Sequence, residues 1–303
     1  HATQLGMHMR FTLRQLQGFA AIAKHQNVSH AANNLAMSQS ACSGALRDLE
    51  HNYGCQVFDR VGKKLHLNEL GTRLRPQVES LLTQASELEA AFTTSPRLSD
   101  LQIGATITIG SHVAIELIQN FAEQFDGRAN LLVANTQDIV KSLLEFDIDV
   151  ALVEGEVQHS QLIVSPWKQD QLICFCHPQH PLAQTNDISD TDLTSAQWIL
   201  REPGSGTRQT FDRAMHDLLP QLTIGLELQQ TEAIREAVKR NLGIGCLSYL
   251  SVKDDIERGT LKALGVPSRD FSRMFYTIVH KQKYQGESLS TWLGLCREHG
   301  DFT

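Results

Sequence analysis

At 303 residues the chain is too long for one ordinary core, and two or three domains are expected. Its 41% hydrophobic and 20% charged content is that of a globular protein, and no apolar run approaches the roughly 18–20 residues of a membrane span, so no membrane partner is expected. The net charge of −7 excludes a uniformly basic nucleic-acid binder, but the charge is uneven: seven basic and four acidic residues lie between Met9 and Leu70, against 18 and 27 from Pro96 to Thr303. A basic head on an acidic body is the asymmetry of a DNA-binding module joined to a separate sensor. His1 to His8 read as leader sequence before a start at Met9, nothing resembles an export signal, and a cytoplasmic location is expected.

In the head, Leu13, Leu16, Phe19, Ala20 and Ala23 recur at helical spacing and predict a first amphipathic helix. Ser29 is read as the cap of a second helix containing Ala31, Ala32 and Leu35, and Ser38 as the cap of a third that runs from Gln39 until Gly54 stops it. Two short helices joined by a tight turn, the second exposing Gln, Ser and Arg near its start, form a helix-turn-helix. Residues 57–68 then alternate apolar and polar about a Gly62-Lys63-Lys64 turn, a two-stranded wing with a cationic tip. A solvated loop is the bland reading of Arg60, Lys63 and Lys64; directly after a helix-turn-helix, contact with DNA phosphates is the better one.

From Asn68 one long helix is predicted to about Phe92. Leu74, Val78, Leu81, Ala85, Leu88 and Phe92 follow 4-3-4-3-4 spacing, a seam for pairing with a second copy; packing on its own domain is the alternative. Thr93 to Pro96 end the helix in a hinge. From Leu101 strands and helices alternate: strands at 101–105, 131–134 and 150–153, helices at 113–125 and 139–146, a second α/β unit across 172–264, a strand at 274–279 and a last helix at 289–296.

Two polar clusters are placed at strand ends, where open α/β sheets bind ligands. One holds Thr106 and Thr108; the other is the Gly-rich run from Arg201 to Arg208 with Ser205, Gly206 and Thr207, an anion nest leading into a helix. Thr231 sits at a further pocket edge. No Lys or Arg lies inside the Thr cluster, so neutral donors and helix dipoles are expected to carry binding, and Glu154 at a strand end opposes a doubly charged anion. The six cysteines form no disulfide framework. Cys174 and Cys176 share a strand face and read as buried thiols rather than a metal or redox pair. His177 and His180 read as loop residues. No catalytic residue, metal or cofactor is expected, since no nucleophile elbow, P-loop or dinucleotide fingerprint stands in its required context.

Leu13-Arg14-Gln15-Leu16-Gln17-Gly18-Phe19, Ala31-Ala32-Asn33-Asn34-Leu35, Ser38-Gln39-Ser40-Ala41, Leu46-Arg47-Asp48-Leu49-Glu50 and Phe58-Asp59-Arg60 resemble the head of the LysR-type transcriptional regulators in segments and spacing. The resemblance extends along the chain and is closest to the YeiE-like branch, with an effector site similar to that of the CysB-type sulfur regulators. It implies an α/β protein with an N-terminal winged helix-turn-helix (9–68), a dimerisation linker helix and hinge (69–95) and a two-lobed effector domain resembling periplasmic binding proteins. Lobe I would comprise 96–165 and 269–303, and lobe II 166–268. It also implies that Gln39, Ser40 and Ser43 face bases of double-stranded DNA while Ser38 and Arg47 hold phosphates, with RNA polymerase as a further partner and homodimers assembling to homotetramers. Gly44-Ala45 stand where many relatives carry a second base-facing Arg, which thins the base code. The matching Thr positions imply a small oxyanion effector, sulfite or sulfate, or else an organic acid. An enzyme or a free-standing solute-binding protein are the readings from other classes; neither accounts for the head.

Overall fold

A computed structural model describes residues 9–62, 64–92 and 100–301. The chain divides into two compact units, one ending before Asp100 and one made of nearly all that follows.

The first unit opens with α1 (Leu13–His25), begun by a capping box in which Thr12 and Gln15 satisfy each other's backbone donors. Next come α2 (Val28–Asn34), α3 (Gln39–Tyr53), the hairpin β1 (Phe58–Val61) and β2 (Lys64–Leu67), and the long α4 (Glu69–Ala91). The cap of α2 is Asn27, whose Oδ1 accepts from the backbone of Ser29 and His30. Ser29 lies inside the helix, which begins two positions earlier than the sequence suggested. Ser38 does cap α3, Gly54 ends it in the left-handed region at φ 61°, and Asn68 caps α4 through the Gly71 N–H. Phe19, Ile22, Ala31, Ala32, Cys42, Leu46 and Phe58 form one core, with the two alanines letting α2 lie close on α1 and α3.

The predicted seam of α4 divides by environment. Leu74 and Val78 pack on this unit's own core, whereas Leu81 (38% exposed), Leu88 (61%) and Phe92 (84%) face solvent, with Ala85 half-buried between them. The proposed hinge at Thr93 to Pro96 lies outside the described residues.

The second unit runs β3 (Leu101–Thr106), α5 (Ile107–His112), α6 (Ala114–Phe125), β4 (Ala129–Ala134), α7 (Thr136–Leu144), β5 (Val150–Glu154) and β6 (Leu162–Cys176). It continues with α8 (Asp190–Ser195), β7 (Gln197–Arg201), α9 (Gly206–Ala214), β8 (Thr223–Leu228), α10 (Thr231–Lys239), β9 (Ile244–Ser248), α11 (Tyr249–Glu257), β10 (Lys262–Leu264), β11 (Ser272–His280) and α12 (Glu287–Glu298). The strand order is β4-β3-β5-β11-β6-β9-β7-β8, with β10 on β6. β3, β4 and β5 are parallel in one lobe, as β8, β7 and β9 are in the other. The antiparallel pair β6 and β11, in register from Leu162↔His280 to Ser272↔Gln171 around one bulge, carries the chain between them. The helix expected at 113–125 is α6, and it is preceded by the short α5, over residues given no element, where the β-branched Ile107, Thr108 and Ile109 carry no helix signal.

Candidate functional site

On the head, Gln39 and Ser40 are exposed at the start of α3, with Ser43 half-buried and Arg47 exposed one and two turns on. Ser38 is occupied as a cap, accepting from Ala41 N at 3.1 Å, and its hydroxyl lies 3.1 Å from that of Ser40. The wing is in register Arg60↔Leu65 and Val61↔Lys64, turning at Gly62 with φ 62°. Arg60 and Lys64 are both exposed; Lys63 lies outside the described residues.

In the second unit the two predicted polar clusters meet, and they meet on Glu154. This residue ends β5, is 1% exposed, and receives hydrogen bonds at one carboxylate oxygen, Oε1, from Thr108 of α5 (3.3 Å) and Thr207 of α9 (3.2 Å). Thr108 belongs to the lobe of β3 to β5 and Thr207 to the lobe of β7 to β9, so a single oxygen draws both lobes together. The backbone does the same. Gly206 N donates to Thr136 Oγ1 at 3.1 Å, and Thr136 Oγ1 donates to Glu154 O at 3.0 Å. Gln137 N reaches Gly204 O at 3.3 Å. Gly206 must be glycine here, because a Cβ would collide with the Glu154 carbonyl.

The remaining predicted residues differ in how their polar atoms are engaged. Thr106 is buried, and its oxygen accepts from Glu154 N at 3.3 Å, a bond that leaves the hydroxyl hydrogen uncommitted. Ser205 is the cap of α9, accepting from Thr207 N and Arg208 N. Thr231, at the first position of α10, is 3% exposed with its hydroxyl unpartnered.

A charged donor, Arg273, stands among the neutral donors and was not anticipated. It is 5% exposed on β11, donates from Nη1 to Thr207 Oγ1 at 3.0 Å, stands 3.7 Å from Glu154 Oε1, and donates from Nε to Asp170 Oδ2 at 2.6 Å. Ser248 donates to the other oxygen of Asp170 at 2.8 Å. The centre is therefore one guanidinium, two carboxylates and a ring of hydroxyls, with Glu154 Oε2 and Arg273 Nη2 buried and without a partner. Buried polar atoms are nearly always paired, so these two mark a place for a polar ligand or water. Arg273, Asp170, Thr136 and Ser248 were missed because each is a lone polar residue in a strand or at a helix start, and only the fold assembles them.

The cysteines are bystanders. Cys174 and Cys176 lie on one face of β6 inside an apolar core with Cys246, and burial pushes the Cys176 thiol up to about 11. His180 caps a turn through Leu182 N. No group of His, Cys, Asp and Glu able to hold a metal is found among the described residues.

A winged helix-turn-helix leading through a long helix to a two-lobed α/β unit with a polar centre between its lobes defines a ligand-responsive DNA-binding regulator. Residues 13–72 match the bacterial regulatory helix-turn-helix protein of the lysR family, and residues 97–301 match the LysR substrate binding domain. The chain belongs to the LysR family of transcriptional regulators, which are not enzymes. It is similar to the HTH-type transcriptional regulator YeiE of Escherichia coli, 38% identical over 95% of this chain and 98% of that one. Its fold matches full-length OxyR of Pseudomonas aeruginosa with a TM-score of 0.74 at 20% identity, covering 96% of each chain. The regulatory domain of Synechocystis CcmR, solved in complex with 2-PG, matches 67% of this chain and 97% of its own with a TM-score of 0.62 at 24% identity.

Proposed function

We propose that this DNA-binding regulator is switched by a small oxyanion held between the lobes of its effector domain, with sulfite ahead of sulfate. The observation that carries this reading is the convergence of Thr108 and Thr207, one from each lobe, on a single carboxylate oxygen. A carboxylate is itself an oxyanion, and an oxyanion entering here would take over the two hydroxyl donors that Glu154 engages. Glu154 then decides between candidates. Hydrogen sulfite carries a proton near neutral pH and can donate to the unpartnered Oε2 of Glu154, whereas sulfate brings two charges and no proton against a buried carboxylate. Arg273 offers its unpartnered Nη2, although its charge is already met by Asp170 and Glu154, which again disfavours a doubly charged ligand.

On the DNA side, Gln39, Ser40 and Ser43 read base edges and Arg47, Arg60, Lys63 and Lys64 hold phosphates. A second copy pairs along α4. Support comes from the exposed Leu81, Leu88 and Phe92, and from an apolar groove of about 370 Å³ beside them, lined by Leu16, Leu49, Tyr53, Leu74 and Val78 among others. Dimers then assemble to tetramers.

Calorimetry of the full chain with sulfite and with sulfate tests the effector reading. Hydrogen bonds to a charged group contribute roughly 1.5–3 kcal/mol, so Thr108→Val and Thr207→Val should each weaken sulfite binding about tenfold or more. Sulfate should bind more weakly than sulfite. Equal affinity for all three proteins would overturn the site, and tight binding of an organic acid in place of either oxyanion would overturn the ligand.

A further inference from the structure

Arg273 and Asp170 face each other across the two strands that link the lobes. β6 and β11 pair antiparallel, and their register sets Arg273 directly opposite Asp170. Residues opposed in this way put their side chains on one face of the pair. Both side chains are almost wholly buried, at 1% and 3% exposure, where a charge has to be paired. The guanidinium can be followed atom by atom. Nε donates to Asp170 Oδ2 at 2.6 Å, Nη1 donates to Thr207 Oγ1 at 3.0 Å, and Nη2 is buried without a partner.

Asp170 is fully engaged. Its other oxygen accepts from Ser248 at 2.8 Å, and Ser248 is itself buried and fixed as the cap of α11, accepting from Leu250 N at 3.2 Å. The carboxylate therefore acts on anything that approaches Nη2 only through its charge and its hold on the guanidinium. Glu154 and Asp170 bring two negative charges against the single positive charge of Arg273, which leaves an excess of one negative charge. The adjoining cavity of about 670 Å³ does not reverse this balance: its Arg213 is exposed and holds Glu156 at 3.0 Å, and its Asp270 is exposed and acidic. Coulomb energy scales with the product of the charges, so the excess opposes a dianion twice as strongly as a monoanion.

We propose that Asp170 is a positioning residue that sets the charge selectivity of the effector site. By holding Arg273 and taking up its charge, it favours a singly charged oxyanion that keeps a proton for Glu154 Oε2 and disfavours a doubly charged one. This deepens, and rests on, the reading that an oxyanion binds beside Glu154 and Arg273.

Titration calorimetry of the full chain with sulfite and with sulfate as separate probes tests this, in weakly acidic buffer where sulfite is mainly hydrogen sulfite. The readout is the ratio of the two affinities, which general damage to the fold does not move. Asp170→Asn keeps an acceptor for Arg273 Nε and a donor for Ser248 while removing the charge. It should raise sulfate affinity relative to sulfite by about tenfold or more, the effect of one unit charge at roughly 7 Å in an effective dielectric of about 20. Asp170→Ser, smaller and also neutral, should move the ratio the same way and stands in if the Asn variant does not fold. Asp170→Glu retains the charge and should keep the ratio of the unaltered chain. A ratio that is the same in the neutral variants as in the unaltered chain overturns the proposal, even if both affinities fall, and leaves the oxyanion reading standing. Failure of both probes to bind the unaltered chain overturns the oxyanion reading and the proposal with it.

Discussion

Gly206→Ala tests the lobe contact with one methyl group. Gly206 opens α9 directly against β5, and a Cβ at that position would lie 2.6 Å from the Glu154 carbonyl carbon and 2.8 Å from its Cγ, closer still to the carbonyl oxygen. Most of this obstacle is backbone, held by Thr136 and Thr106, and cannot swing aside as the end of a side chain does. Inserting a methyl into such packing costs about 1–3 kcal/mol. When the lobes part, the same alanine meets nothing and suits a helix better than glycine does. The penalty therefore falls on the closed arrangement alone and shifts the equilibrium toward open by about 5- to 150-fold. Small-angle scattering of the full chain should show a larger radius of gyration for the variant. Melting should fall by about 2–4 °C for each kcal/mol. Unchanged scattering together with unchanged melting would refute the claim that Gly206 and Glu154 set the lobe contact.

Lys64→Ala should weaken binding to most DNA sequences alike and reduce the slope of log affinity against log salt by about 0.9, as measured by fluorescence anisotropy. Gln39→Ala should instead relax preference at one base pair, at about 1–3 kcal/mol. Leu81→Asp places a charge on the exposed stretch of α4, and sedimentation at micromolar concentration should show loss of the dimer. His112 bonds Ser251 of the other lobe at 3.3 Å, and desolvation followed by the charges of Lys253 and Arg235 pushes its pKa below the usual histidine value. The unfolded ring takes up a proton first as pH falls. Stability present above about pH 6.5 is therefore lost below it, and His112→Gln should lose less melting temperature than the unaltered chain between pH 8 and pH 5.5.

Local signals made the head readable. Ser38, Gly54 and Asn68 punctuate helices through their own side chains or their own φ, and the hairpin follows from alternation about Gly62. The cap at Asn27 was displaced to Ser29 because both are good cap residues two positions apart, and only backbone geometry decides. The 4-3 spacing of α4 could not separate Leu74 and Val78, which serve their own core, from Leu81 and Leu88, which do not; both uses impose the same period. In the effector domain the paired Thr residues and the Gly-rich loop lie at strand ends that the fold brings together. What they would converge on was hidden. Glu154, Arg273 and Asp170 come from three strands separated by up to 119 positions in sequence, and no spacing rule joins them. Glu154, read as opposing a doubly charged anion, is where the two clusters meet.

The central claim is that an oxyanion between the lobes changes the hold on DNA. Fluorescence anisotropy of a labelled target duplex, titrated with the full chain in the presence and absence of saturating sulfite, measures this directly. A ligand alters DNA affinity only if it binds the two lobe arrangements unequally. The affinity of the unaltered chain should therefore change with sulfite, and Thr207→Val should need about tenfold more sulfite or beyond for the same change. An unaltered chain whose DNA affinity is the same at every sulfite concentration would contradict the account.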